Sequence, residues 1–126
     1  MLNTTGTRNT AVGTFSLDAN TTGDDNTVVG QTAGGAVTTG HDNTLIGSYA
    51  GDNLTTGGQN TVVGCEALDA QTTASGNTAV GYRAMQLNTS GSGNVAVGNQ
   101  ALLDNTTGAT LVAVGVNSLT NNTTAN

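Results

Sequence analysis

Apolar and polar positions recur along this chain with a period of 17 residues. In every repeat two adjacent apolar residues precede a glycine, and a polar stretch related to Asn-Thr-Thr-Gly follows. The glycines, which are spaced without a single insertion, are Gly13, Gly30, Gly47, Gly64, Gly81, Gly98 and Gly115. A period kept this strictly requires each repeat to stack on the next in register. The pattern therefore predicts a solenoid.

Equivalent positions of successive repeats form columns, and the consensus is Asn-Thr-x-Val-Gly-x-x-Ala-Leu-x-x-Asn-Thr-Thr-Gly-x-x. The Val/Ile column directly before the glycines is Val12, Val29, Ile46, Val63, Val80, Val97 and Val114. The Ala/Val/Leu column one residue earlier is Ala11, Val28, Leu45, Val62, Ala79, Ala96 and Ala113. The first Asn column, four residues before the glycines, is Asn9, Asn26, Asn43, Asn60, Asn77 and Asn94, with Leu111 in the seventh place.

Each repeat predicts two short strands and a connecting segment. Asn-Thr-x-Val is rich in β-branched residues and ends at a glycine, which indicates a strand closed by a turn. Asn-Thr-Thr-Gly indicates a second short strand and a second glycine turn. The segment between them, such as residues 66–68, fits either a bent turn or one helical turn. Coils that each rise about 4.8 Å would form a rod about 34 Å long, with backbone hydrogen bonds between the coils. We therefore expect residues 1–126 to form a single all-β domain, a β-solenoid or β-roll of seven coils.

Identical side chains on neighbouring coils are expected to form ladders. Stacked Asn side chains can hydrogen-bond to one another along the rod. The Thr column is expected to pack methyl on methyl and to bond hydroxyl to hydroxyl. Its members are Thr4, Thr21, Thr38, Thr55, Thr72, Thr89, Thr106 and Thr123. Such ladders would order a chain that has few large apolar residues.

Composition restricts the fold and the partners. Thr, Gly and Asn supply 60 of the 126 residues, while Leu, Ile, Val and Phe supply only 24. This leaves a choice between disorder and a repeat architecture, and the strict register favours the repeat. The net charge is −6 and only two residues are basic, so nucleic acid and anionic membrane surfaces are poor partners. No apolar run is long enough to insert into a membrane.

The two adjacent apolar columns predict an oligomer. Neighbouring side chains of a strand point to opposite faces, so one column can fill the coil while the other faces outward. An exposed aliphatic stripe along the whole rod would be an interaction surface. We therefore expect the stripe to be buried against other copies of the chain. The alternative is a wide coil that buries both faces of its strand.

The units Asn77-Thr78-Ala79-Val80-Gly81 and Asn94-Val95-Ala96-Val97-Gly98 resemble the repeats of YadA-like trimeric autotransporter adhesin heads. With Ala84-Met85 and Asn88-Thr89-Ser90-Gly91 they also resemble repeats of phage tail fibres. The resemblance covers essentially the whole chain and implies a left-handed β-roll, a parallel homotrimer and an adhesive role. It also implies that the residue beside the glycine fills the roll while other apolar positions pack three rolls together. The coil here is about three residues longer than the adhesin coil.

Candidate chemistry is sparse. Cys65 is the single cysteine and His41 the single histidine, and neither stands in a catalytic signature. Asp25 and Asp42 share a column beside Asp24, an arrangement that hard cations use, although acidic turns facing solvent explain it better. Asp18, Asp52 and Asp69 share another column. The sequence predicts no catalytic residue, no metal site and no cofactor, and we do not expect an enzyme.

Four functional classes compete. The favoured one is a structural or adhesive fibre module of a bacterial or virion surface, whose partners are further copies of itself and a host-surface receptor or glycan. The alternative is an ice-binding solenoid, although the column Thr10, Thr27, Thr44, Thr61 and Thr78 continues as Val95 and Val112. A β-helical acyltransferase and a functional amyloid fit the sequence poorly. The uncapped ends at Met1 and Asn126 favour either end-to-end stacking into a filament or a piece of a longer fibre.

Overall fold

A computed structural model describes residues 2–124 of the chain, so Met1 and Asn126, to which the expectation of end-to-end stacking refers, lie outside the described residues. Within that range the protein is an all-β parallel solenoid without helices. Each coil contributes one three-residue strand to a single seven-stranded sheet in sequence order. The strands are β1 (Thr10–Val12), β2 (Thr27–Val29), β3 (Thr44–Ile46), β4 (Thr61–Val63), β5 (Thr78–Val80), β6 (Val95–Val97) and β7 (Val112–Val114).

Every strand pairs in parallel with its neighbour at a separation of 17 residues. Thr44, Leu45 and Ile46, for example, lie opposite Thr61, Val62 and Val63. The ladder continues beyond the strands: Leu68 N donates to Ala84 O at 3.0 Å and Glu66 N to Ser48 O at 3.0 Å. Backbone hydrogen bonds thus run between coils along the rod, as the period predicts.

The core is a thin layer between the sheet and the turn segment that follows each glycine. The Ala/Val/Leu column faces this interior, and all its members except Ala11 are buried. The turn segment contributes buried residues that the sequence analysis did not assign to the core. They are Leu17, Ala33, Ala50, Ala67, Leu68, Ala84, Met85, Ala101 and Leu102. The segment is a turn rather than a helical turn, and its residues Glu66 and Leu68 have φ of 56° and 53°.

Large and small side chains alternate across this layer so that its volume stays filled. Where the strand carries Leu45, the facing turns carry Gly34 and Gly51, and a Cβ at Gly34 would lie 2.8 Å from Leu45 Cδ1. Where the strands carry Ala79 and Ala96, the turns carry Met85 and Leu102. Close packing explains the exchange. Two large residues would not fit in the thin interior, and two small ones would leave a cavity that destabilises the fold.

The prediction of a second strand at Asn-Thr-Thr-Gly is wrong. This segment forms bends in every described coil, and the strands β1–β7 are the ones present in residues 2–124. The Thr column here does stack, but its hydroxyls do not bond to one another. Thr38 Oγ1 donates to Thr55 O at 3.2 Å and Thr55 Oγ1 to Thr72 O at 2.9 Å. The same carbonyls accept backbone N–H groups as well, as Thr55 O does from Thr38 N at 2.9 Å.

The first Asn column forms the predicted side-chain ladder from Asn9 to Asn60, whereas Asn77 Nδ2 and Asn94 Nδ2 donate to other acceptors. Asn43 Nδ2 donates to Asn26 Oδ1 at 3.0 Å, and Asn60 Nδ2 donates to Asn43 Oδ1 at 3.0 Å. The same Asn43 Oδ1 also accepts the backbone N–H of Asn60 at 3.0 Å. Asn43 Nδ2 reaches forward to Gly57 O at 3.0 Å. Each side chain therefore completes the backbone hydrogen bonding of the coil above it.

A second Asn column, taken from the Asn-Thr-Thr-Gly segments, is less regular. Its positions are Asn3, Asn20, Val37, Leu54, Gln71, Asn88, Asn105 and Asn122. Where Asn or Gln is present the side chains also form a ladder, as between Asn105 Nδ2 and Asn88 Oδ1 at 3.0 Å. Four of these Asn side chains also donate to the glycine carbonyl three residues later, as Asn105 does to Gly108 O at 3.0 Å. No buried side-chain nitrogen or oxygen in the described range lacks a partner.

Candidate interaction surface

The outward side of the seven strands is a continuous face, which we call the outer sheet face. It consists of the Val/Ile column and, two residues earlier on each strand, a second column. That second column is Thr10, Thr27, Thr44, Thr61, Thr78, Val95 and Val112. Because side chains alternate along a strand, these two columns flank the buried Ala/Val/Leu column and share one side of the sheet.

The Val/Ile column is the apolar part of this face. Val29, Ile46 and Val63 are 36%, 38% and 36% exposed in the middle of the rod. Val12, Val97 and Val114 are exposed as well, and Val80 is half-buried. The expectation of one inward and one outward apolar column is confirmed, and the wide coil that buries both is wrong. The assignment implied by the adhesin resemblance is reversed, since the residue beside the glycine faces outward and its predecessor fills the coil.

The glycine column fixes how the strand leaves this face. Gly64 has φ of 147°, a conformation that an L-residue with a Cβ strongly disfavours. A Cβ at Gly64 would also lie 2.2 Å from Gly81 O of the next coil. The chain turns at this point with the backbones of successive coils in close approach. This is why glycine occupies the position in every repeat.

One set of charged groups lies away from the outer sheet face, in the turns before β1, β2 and β3. Arg8 binds Asp25 with two hydrogen bonds, Nε to Oδ1 at 2.5 Å and Nη2 to Oδ2 at 2.7 Å. The Arg8 hydrogen bond lowers the pKa of Asp25. Hydrogen bonds from the backbone and hydroxyl of Thr7 lower the pKa of Asp24. His41 Nδ1 lies 2.9 Å from Asp42 Oδ2. Asp24, Asp25 and Asp42 each have a close polar partner at an exposed turn.

The other acidic column behaves differently. Burial raises the pKa of Asp52. Burial is also the largest cause of the raised pKa of Asp69, and the negative charges of Asp52 and Glu66 raise it further. Asp52 and Asp69 occupy the same position of adjacent coils, so their charges repel across one coil spacing. No group of three or more His, Cys, Asp or Glu residues within residues 2–124 is arranged to hold a metal ion.

The remaining candidate residues are not brought together. Cys65 is exposed and reduced, and it lies on a different turn from His41. The part of the chain that the structure describes contains no pocket. None of its segments is a helix of the length and apolar character needed to cross a membrane.

Comparison with known proteins does not extend this description. No protein-family model matches the chain, and neither a curated protein nor a solved structure is significantly similar to it. The function is therefore argued from the geometry of the rod and its surfaces.

Proposed function

We propose that the chain is a non-enzymatic structural module of a fibrous appendage on a cell or virion surface. In this proposal three parallel copies bury their outer sheet faces against one another, and the outside of the bundle carries the adhesive contacts. The observation that carries the proposal is the Val/Ile column, an aliphatic stripe that runs along one side of the rod over seven coils and is exposed in six of them. A stripe of this length is expected to be covered by a partner.

A second copy of the chain is the partner that this face fits best. Its columns repeat at the coil spacing of about 4.8 Å, so the side chains of one copy can enter the gaps between the side chains of another along the full rod. The two columns contain no charged residue, so copies that each carry a net charge of −6 meet through a neutral contact. The number of copies in the proposed oligomer, three, is taken from the resemblance to trimeric fibre repeats.

The first experiment is light scattering on the purified chain over a dilution series. The proposal predicts a mass near three times 12.3 kDa that persists on dilution. Val63→Asp places a charge in the middle of the stripe and should reduce the mass to that of one chain, because an unpaired carboxylate cannot be buried. Thr56→Asp, at an exposed position outside the outer sheet face, is the matched control and should leave the mass unchanged.

An ice-binding solenoid is the second candidate, and one observation favours it. Five successive coils present Thr beside Val or Ile on the outer sheet face, a regular lattice of hydroxyl and methyl groups. This function needs the face open to water, whereas the fibre module needs it covered. A stable monomer that separates the melting and freezing temperatures of ice, and loses this activity in Thr44→Asp, would replace the fibre module by the ice-binding function.

A further inference from the structure

All three aromatic residues of the chain lie at the first two positions of the turn after a strand glycine, a part of the rod that we call the corner. Arg83, at the same position of its coil as Phe15 and Tyr49, lies 4.9 Å from the Tyr82 ring, so side chains at the two positions are neighbours. Phe15 and Tyr49 occupy the second position after the glycine in the first and third coils, and Tyr82 occupies the first position after the glycine in the fifth. They are 62%, 39% and 41% exposed. Large aromatic side chains gain much free energy from burial, so three exposed rings on one corner mark a contact surface. We call these three residues the aromatic row.

The row has a regular spacing. Its members stand on alternate coils, so neighbouring rings are about 9.6 Å apart along the rod, twice the spacing of paired strands. The coils between them present polar groups at the same two positions, among them Gln31 and Thr32. The sixth coil continues the series with Asn99 and Gln100. Rings and hydrogen-bonding side chains thus alternate along the corner.

One ring of the row is held by an ion pair between coils. The Arg83 guanidinium lies 4.9 Å from the centre of the Tyr82 ring. Arg83 Nε donates to Glu66 Oε2 at 2.8 Å, and Gln86 Nε2 donates to the same oxygen at 3.0 Å. Glu66 therefore fixes Arg83, and Arg83 covers one face of Tyr82 through a cation–π contact. A ring fixed in this way loses little conformational entropy on binding.

We propose that the aromatic row binds an extended, neutral polysaccharide. The C–H face of a sugar ring stacks on an aromatic ring, and its hydroxyls can bond amide and hydroxyl side chains such as those of Gln31 and Thr32. In a β-1,4-linked chain the same sugar face recurs at every second ring, which provides a repeating partner for rings on alternate coils. The net charge of −6 and Glu66 beside the row disfavour an anionic polymer.

The absence of a cleft in the described residues also specifies the form of the ligand. An exposed corner cannot enclose a short oligosaccharide, so each sugar gains little by itself. A straight polymer, or the surface of an insoluble one, can occupy several rings at once and gains from multivalency. The inference concerns a corner separate from the outer sheet face and does not rest on the proposed trimer.

The test is co-sedimentation of the full chain with microcrystalline cellulose and, separately, with chitin particles. We expect one or both to retain the wild-type chain. Tyr49→Ala should weaken binding about tenfold, the effect of losing one stacked ring. Removing all three rings (Phe15→Ala, Tyr49→Ala and Tyr82→Ala) should abolish retention. Leu87→Ala, which removes an exposed apolar side chain elsewhere on the rod, is the control and should bind like the wild type.

Wild-type retention no greater than that of serum albumin on both polymers would overturn the inference, as would full retention of the triple variant. The mass of each variant in solution is also measured by light scattering, and its folding by thermal melting. A folded triple variant of lower mass would assign the rings to contacts between copies, which also overturns the inference. If the triple variant does not fold, the retention of the single variants Phe15→Ala and Tyr49→Ala decides the question. A chain that is trimeric in solution but is not retained by either polymer contradicts this inference alone. A monomer whose retention depends on the three rings contradicts the proposed trimer alone.

Discussion

The two Asn columns lie side by side in the same thin interior, yet only one of them is kept without exception through the first six coils. The first column has Asn at every position from Asn9 to Asn94. The second replaces Asn by Val37 and Leu54 in two successive coils and by Gln71 in the next. Both columns form side-chain ladders, from Asn9 to Asn60 in the first and from Gln71 to Asn122 in the second, so the ladder itself does not explain the difference.

The difference lies in what each column does for the backbone. Every Asn of the first column accepts the buried N–H of the next coil, as Asn43 Oδ1 does for Asn60 N. No other acceptor serves that N–H, and an unpaired buried N–H is costly. The second column mainly donates to a turn carbonyl that the first column already serves, and at Asn20 it also accepts the N–H of Gly23. Gly108 O accepts both Asn94 Nδ2 at 2.8 Å and Asn105 Nδ2 at 3.0 Å.

Packing explains why the second column changes where it does. The coils with Val37 and Leu54 are those in which Gly34 and Gly51 replace the large turn residue of the core. A Cβ at Gly34 would lie 3.4 Å from Val37 Cγ2, so Val37 occupies part of the space beside this glycine. The comparison shows that a polar ladder is fixed where it completes the backbone and replaceable where its bonds are duplicated.

The largest expected effect comes from a change that disturbs both columns at once. A Cβ at Gly91 would lie 2.2 Å from Gly108 O, 2.5 Å from Asn88 Oδ1 and 2.9 Å from Asn94 Nδ2. We expect Gly91→Ala to lower the free energy of unfolding by about 4 kcal/mol, measured by urea denaturation.

The chain itself supplies the control for this change. Ala74 occupies the equivalent position one coil earlier, where the second column has Gln71 instead of Asn and Gln71 Nε2 donates to Ala74 O. Adding Asn88→Gln to Gly91→Ala recreates this pair and should recover part of the loss. If the double variant is no more stable than the single one, the clash lies with the backbone alone and not with the Asn columns.

The next largest effect separates the two columns directly. Asn43→Ala leaves Asn60 N–H and Gly57 O without these bonds and should cost about 3 kcal/mol. The same truncation at Asn105 removes bonds to Asn88 Oδ1 and Gly108 O, the latter still bonded by Asn94, and should cost about 1 kcal/mol. Thermal and urea unfolding of both variants provide the comparison. Equal losses would show that backbone completion is not what distinguishes the columns.

The smallest effect concerns pH, since neither Asn column carries an ionisable group. The pKa of Asp52 is raised by burial, so its contribution to stability is present below the ordinary value of 3.8 and is lost as the pH rises through its folded value. Asp52→Asn should therefore raise the melting temperature slightly at pH 7 and not below pH 3.8. Asp25→Asn has the opposite sign at pH 7, because Arg8 lowers the pKa of Asp25 and stabilises its charged form. A fall in melting temperature at pH 7 for Asp52→Asn would contradict the assignment.

Much of the fold follows from the sequence because the repeat is strict. The period fixes the register of all seven strands, and the β-branched Thr-x-Val unit before glycine fixes their position. The adjacent apolar pair correctly indicates one inward and one outward column. Which of the two faces inward could not be read from residue type, because both are apolar; it depends on the direction in which the chain turns at Gly64 and its equivalents.

The parts that sequence analysis missed have local causes. The two β-branched Thr residues of Asn-Thr-Thr-Gly favour a strand, but the Asn bonds the glycine three residues later and bends the chain, as Asn20 Oδ1 does by accepting Gly23 N–H at 3.1 Å. The contribution of Leu68 and Met85 to the core was signalled by the Ala-Leu pair of the consensus. The aromatic row is not apparent as a cluster in the sequence, because its members are 33 and 34 residues apart until the coil brings them to one corner.

The constant separation of 17 residues between paired positions has a consequence for length. Each interior coil meets only the coil before it and the coil after it, so its surroundings do not depend on how many coils the rod contains. Duplicating a 17-residue unit should therefore lengthen the rod by about 4.8 Å and leave its cross-section unchanged. Distances along the rod are therefore multiples of one coil spacing, and the separation of any two groups displayed on it is set by the number of repeats between them.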